Sequence, residues 1–134
     1  MASGVKRLAW IGVALGLVAL TAGGLNLLGD NACRTTVFSE VPSPSGRLKA
    51  VLLERDCGAT TGFNRQVQIL AADEAPRRDS PFVMDGDHGR ATLDVQLHWA
   101  TSARLTIRHD PLARVFNADT QLEGVSISYT HLPK

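Results

Sequence analysis

Asp85-Gly86-Asp87-His88-Gly89 puts two carboxylates and an imidazole within four consecutive positions. A D-x-D spacing around a turn-making glycine supplies the oxygen ligands that a hard cation such as calcium prefers. His88, with His109 further along the chain, would extend the set toward a transition metal. An EF-hand loop needs more ligands and a closing Glu, and both are absent. The spacings H-x-H, C-x-x-C and H-E-x-x-H are absent too. Asp85, Asp87 and His88 are therefore weak metal candidates, and no cofactor is expected. The plainer reading is an Asp-Gly turn between strands.

Arg55-Asp-Cys-Gly-Ala-Thr-Thr-Gly-Phe63 is the other unusual string. Gly58 and Gly62 allow positive φ or close approach of another backbone. The hydroxyls of Thr60 and Thr61 could donate to an anion or a peptide, or satisfy their own turn. Asp56, Gly58, Thr60, Thr61 and Phe63, together with Asp85 and His88, form the candidate binding surface. Cys57 has no positioned base and a better use than nucleophile. No G-x-S-x-G elbow, no outstanding carboxylate pair and no G-x-x-x-x-G-K phosphate loop occurs. No catalytic residue is assigned, and a non-enzymatic role is favoured.

The elements that hold these strings read as strands. Thr35–Val41 and Leu48–Arg55 flank Pro42-Ser-Pro-Ser-Gly-Arg47, a turn in which neither proline can donate to a ladder. A hairpin centred near Ser45 opposes Val41 to Lys49, Val37 to Leu53 and Cys33 to Cys57. Opposed Cα atoms lie about 4.5–5.5 Å apart, a range that a disulfide accepts. Closing a loop of about 24 residues would stabilise the fold by about 3.5 kcal/mol through the unfolded chain. Disulfides persist in oxidising compartments, so a Cys33–Cys57 bond implies one.

Beyond the hairpin, Asn64–Leu70, Ala91–Trp99, Ala103–Arg108 and Gly124–Tyr129 alternate apolar and polar residues, and Pro81–Met84 adds a short strand. A period of two indicates sheets with one buried and one wet face. Ala100-Thr-Ser102 joins two strands tightly, and Ala71–Ser80 reads as a mobile polar loop. Trp99 suits a core or inter-sheet contact. His98 and His131 read as surface residues. The expected fold is mainly β: a small antiparallel β-sandwich or rolled sheet of six or seven strands, after one N-terminal transmembrane helix.

Ser43-Pro-Ser-Gly-Arg-Leu-Lys-Ala50 and Glu54-Arg-Asp-Cys-Gly-Ala-Thr-Thr-Gly-Phe63 resemble a family of short uncharacterised bacterial envelope proteins. These carry a Ser-Pro-x-Gly turn, an Asp-Cys-Gly-Ala-Thr-Thr core and a later His-Gly, here His88-Gly89. The likeness runs from about Val41 to Tyr129. It implies that Asp56–Phe63 and His88-Gly89 belong to one design, and it implies no activity.

Leu8–Gly29 carries no charge over about 22 residues, with Lys6-Arg7 in front of it. At roughly 1.5 Å per residue a helix of that length crosses the ~30 Å hydrocarbon core. The positive-inside rule leaves residues 1–7 as a cytoplasmic stub, residues 8–29 as a signal anchor in the bacterial inner membrane, and residues 30–134 as a periplasmic domain. The alternative is a signal peptide cut after Ala22-Gly23-Gly24, which would release a secreted domain. The exported part holds 12 basic and 13 acidic residues, a net charge of −1. The signs alternate along the chain, which argues against a nucleic-acid partner. The expected function is a non-catalytic envelope module that binds a protein partner or ligand. The alternative is a metal-binding or metal-dependent domain centred on Asp85, Asp87 and His88.

Overall fold

Residues 33–58 and 62–134 are described by a computed structural model. The run Leu8–Gly29, Asp30, Thr60 and Thr61 lie outside the described residues. The strands follow the alternating segments: β1 (Arg34–Pro42), β2 (Leu48–Asp56), β3 (Phe63–Ala71), β4 (Phe82–Asp85), β5 (Val95–Thr101), β6 (Arg104–His109), β7 (Arg114–Ala118), β8 (Gln121–Leu122) and β9 (Val125–His131). Two sheets result, one in the order β1-β2-β3-β4-β7 and one in the order β5-β6-β9-β8. The mainly-β expectation holds, with nine strands among the described residues where six or seven were expected.

The core lies between the sheets. Ala50, Leu52, Val67, Ile69, Phe82 and Met84 come from one sheet, and Trp99, Leu105, Ile107, Val125 and Ile127 from the other. Trp99 bridges the layers as expected: its Nε1–H donates to the Val41 carbonyl at 3.0 Å. The two hairpin turns also meet, where the Ser45 N–H donates to Ser102 Oγ at 2.8 Å.

The first hairpin pairs Val37 with Leu53 and Arg34 with Asp56, in line with the expected register at the disulfide end. Cys33 and Cys57, one position beyond that last pair, are both disulfide-bonded. Near the turn the register differs by one: Val41 pairs with Ala50, not Lys49. The cause is a β-bulge that leaves Phe38 unpaired between Val37 and Ser39.

Four further expectations are corrected. β2 and β3 are buried on both faces, because Val51, Leu53 and Leu70 form a second apolar cluster away from the inter-sheet core. The segment 72–81 is tied to that outer face rather than free. Gln68 Nε2 donates to the Arg77 carbonyl at 2.8 Å, its Oε1 accepts the Arg77 N–H at 2.9 Å, and Arg55 reaches the Arg77 and Arg78 carbonyls. The sheets are not antiparallel throughout either, since β6 and β9 pair in parallel. Between them the chain leaves for β7 in the other sheet and returns through β8, so no hairpin imposes opposite directions. β5 starts at Val95 instead of Ala91 because the preceding amides have other acceptors. Ala91 N–H donates to the Gly86 carbonyl at 3.0 Å and Thr92 N–H to Asp110 Oδ2 at 3.0 Å.

An aromatic group closes one part of the core. Phe82 lies 5.4 Å from the Tyr129 ring and 5.3 Å from the His109 ring, and His109 meets His131 edge-on at 5.5 Å. His131 is exposed, as read from the sequence, and also flanks this group. Tyr129 donates its hydroxyl to the Asp119 carbonyl at 2.6 Å. Burial, helped by the Asp119 charge, pushes the Tyr129 hydroxyl up to about 12. An unfolded tyrosine ionises near pH 10, so above that pH the unfolded chain releases a proton that the folded chain retains. Stability is therefore full below pH 10 and falls as pH rises toward 12. We expect this loss to be about 1–2 kcal/mol once partial solvent exposure is allowed for. Tyr129→Phe should abolish it, which is checked by comparing the urea midpoints of both chains from pH 9 to pH 12.

Candidate functional site

The ladder explains which of the predicted site residues meet. Asp56 pairs with both Arg34 and Phe63, and the next rung runs Arg55, Asn64, Asp85, Arg114 across four strands. The disulfide, Asp56, Phe63 and Asp85 thus share one end of the five-stranded sheet. Asp56 Oδ1 accepts the Gly58 N–H at 3.0 Å, which turns the chain out of β2. Gly58 and Gly62 take φ of +104° and +67°, conformations that exclude a side chain at low cost. Phe63 follows at the start of β3, 57% exposed. Thr60 and Thr61, the remaining members of this loop in the sequence reading, lie outside the described residues.

At the other corner, Asp85 is occupied by its own surroundings. Its Oδ1 accepts the Asp87 N–H at 2.8 Å, and its Oδ2 accepts a charge-assisted bond from Arg114 Nη2 at 2.5 Å. Asp87 pairs with Arg90 at 3.6 Å. Asp87, His88 and Gly89 run through three successive positive φ values, +42°, +57° and +86°, and His88 is exposed. Among the described residues no three His, Cys, Asp or Glu side chains gather as a metal ion would require. His109 does not join them: it sits in the aromatic group and donates Nδ1–H to the Asp110 carbonyl at 2.9 Å.

Burial pushes the Asp85 carboxyl up, but the Arg114 bond and the Asp87 N–H outweigh it and hold the group below the usual carboxylate value. A depressed acid contributes stability above pH 3.8 and loses it as pH falls through the folded value. Asp85→Asn should therefore cost about 1 kcal/mol at neutral pH, and less and less below pH 4 as the wild type loses its advantage. Chemical denaturation of both chains from pH 2 to pH 7 checks the sign.

The feature that sequence reasoning missed lies beside this end, on the core-facing side of the five-stranded sheet. Arg65 follows Phe63 in the same alternation that turns Val67 and Ile69 into the core. Its partner Glu54 is opposite on β2, with Nη2 to Oε2 at 3.5 Å. The Arg65 guanidinium carbon lies 3.7 Å from the centroid of the Phe38 ring. Arg65 Nε and Nη1 are buried and have no hydrogen-bond partner among the described residues. Each such donor costs about 1–3 kcal/mol when desolvated and unpaired. Next to them is a cavity of about 440 Å³, walled by Leu52, Leu93, Val95, Leu132 and Pro133 and edged by Asp94 and Gln96. Phe38 and Arg65 complete its lining.

The readable signal was Arg65 itself, a charge at an inward position of an alternating strand. The bulge that turns Phe38 over it had no such signal. Phe38 and Phe63 are both more than half exposed, so the sheet carries aromatic surface past the point where the second sheet covers it. The arrangement can hold an elongated apolar group with a polar end near Arg65. It offers no base paired to a nucleophile. No family model, curated protein or solved structure matches the chain, so the site's own geometry carries the functional reading.

Proposed function

We propose that the chain is a membrane-tethered extracytoplasmic β domain that binds a ligand or an envelope partner, without catalysis, at the disulfide-pinned end of its sandwich. The observation that carries this reading is the exposure of Phe38 at a cavity with a half-satisfied arginine, with the exposed Phe63 two residues from that arginine on the same strand. Exposed aromatics around a preformed apolar cavity are the usual composition of a recognition surface. The uncharged run behind Lys6-Arg7 supports attachment to the bacterial inner membrane with the β domain in the periplasm. The disulfide agrees with an oxidising compartment. The resemblance of the Asp56–Phe63 string to short envelope proteins points the same way.

Site-specific photocrosslinking in cells tests the reading. A crosslinking side chain in place of Phe63 should capture an envelope component, and one in place of Phe116, on the opposite edge strand, should not. Equal capture at both positions, or none at Phe63, would overturn the assignment of this end. N-terminal sequencing of the same membranes separates a retained anchor from a cleaved signal peptide.

A further inference from the structure

The cavity beside Arg65 narrows the ligand class, and the inference rests on the reading of that end as a recognition site. Arg65 presents two nitrogens, Nε and Nη1, that are buried and lack an acceptor among the described residues. The face of the Phe38 ring covers the guanidinium carbon but offers no lone pair to those N–H groups. An oxyanion on a ligand would supply what they lack, and guanidinium recognition of carboxylates is charge-assisted. The charge of that oxyanion is limited by the neighbours. Glu54 already lies 3.5 Å from Arg65 Nη2, and Asp94 edges the cavity. Glu54 beside the guanidinium and Asp94 in the cavity lining disfavour a dianion such as phosphate more strongly than a single negative charge. The remaining wall is apolar, supplied chiefly by Leu52, Leu93 and Val95, and the volume of about 440 Å³ suits a small organic body.

We infer that this cavity binds a monocarboxylate with an apolar body, its carboxylate on Arg65 Nη1 and its hydrocarbon part along Leu52, Leu93 and Val95, with Phe38 as the movable cover. Phe38 suits that part because its bulge frees it from the ladder and leaves it half exposed, so its side chain can swing without breaking a backbone pair. Two sources share this chemistry, the free C-terminus of an apolar peptide and a short fatty acid.

The test uses the full chain in lipid nanodiscs, with empty nanodiscs as the blank. Binding of N-acetyl-leucine and of hexanoate is measured by calorimetry and compared with the matching neutral amides. The expected result is saturable one-to-one binding of a carboxylate, at least tenfold weaker binding of its amide, and a similar loss in Arg65→Gln. Phe38→Ala should accelerate association without abolishing the carboxylate preference. Circular dichroism confirms that each variant is folded. Tighter binding of N-acetyl-leucine assigns the ligand to peptide ends, and tighter binding of hexanoate assigns it to acyl chains. Equal binding of acid and amide, or an unchanged affinity in a folded Arg65→Gln, overturns the carboxylate inference. If no probe binds while the Phe63 crosslinks persist, the ligand class is wrong and the recognition surface stands. If the crosslinks are missing as well, the recognition surface itself is wrong.

Discussion

Phe82→Ala is expected to destabilise the domain by about 3–5 kcal/mol, the cost of truncating a large ring in a packed core. Phe82 is fully buried, and it holds together more than its own volume. It pairs with Val67 on one side and with Ala118 on the other, so it sits where β3, β4 and β7 meet. Its ring also spans to the second sheet, at 5.4 Å from Tyr129 and 5.3 Å from His109. The space left behind would be bounded by strands on both layers, which cannot collapse without shearing the sheets. Phe82→Leu keeps most of the volume and should lose markedly less. Urea titration of the full chain, followed by circular dichroism, gives both values, and a loss under 1.5 kcal/mol for the alanine variant would contradict this packing.

Cys57→Ser is the second large effect, with an expected loss of about 3.5 kcal/mol from the freed unfolded chain. The loss has a local part as well. The bond lies one position beyond the Arg34–Asp56 pair, the last rung of the first hairpin, and β1 is an edge strand with a partner on only one side. Without the bond, the end of β1 before Phe38 is held chiefly by its pairing with β2. Hydrogen exchange of the oxidised and reduced wild-type chain should show faster exchange at Thr35 and Val37 after reduction, with little change at Leu105 and Ile107. Uniform acceleration across both sheets would mean that the bond acts only through the unfolded state.

The parts of the fold that were legible in the sequence are those where side-chain pattern and backbone demand coincide. The hairpin around Ser45 was readable because prolines and a glycine bracket it, and its register at Cys33 and Cys57 followed from counting outward. The count failed at Val41 because a bulge costs no residue type that marks it; Phe38 looks like any strand residue. β7 was invisible for a related reason. Its five residues are all exposed, so no alternation records its pairing with β4. The parallel β6–β9 pair could not be read either, since alternation reports which face a residue takes and not the direction of its neighbour. Asp56, Phe63 and Asp85, named from the sequence, lie on one end of one sheet. Arg65 was passed over because a single arginine among polar residues reads as wet, although its parity placed it inward.

The bulges have a consequence for self-association. The five-stranded sheet is open, with β1 and β7 as its two edges, and each edge is interrupted by one extra residue, Phe38 in the first and Phe116 in the second. An uninterrupted edge is a template on which a second copy can stack its own strand. Here the nine residues of β1 are divided into runs too short and too differently aimed to template a growing fibre. The same irregularity that turns an aromatic ring toward the cavity also works against edge-to-edge stacking of copies.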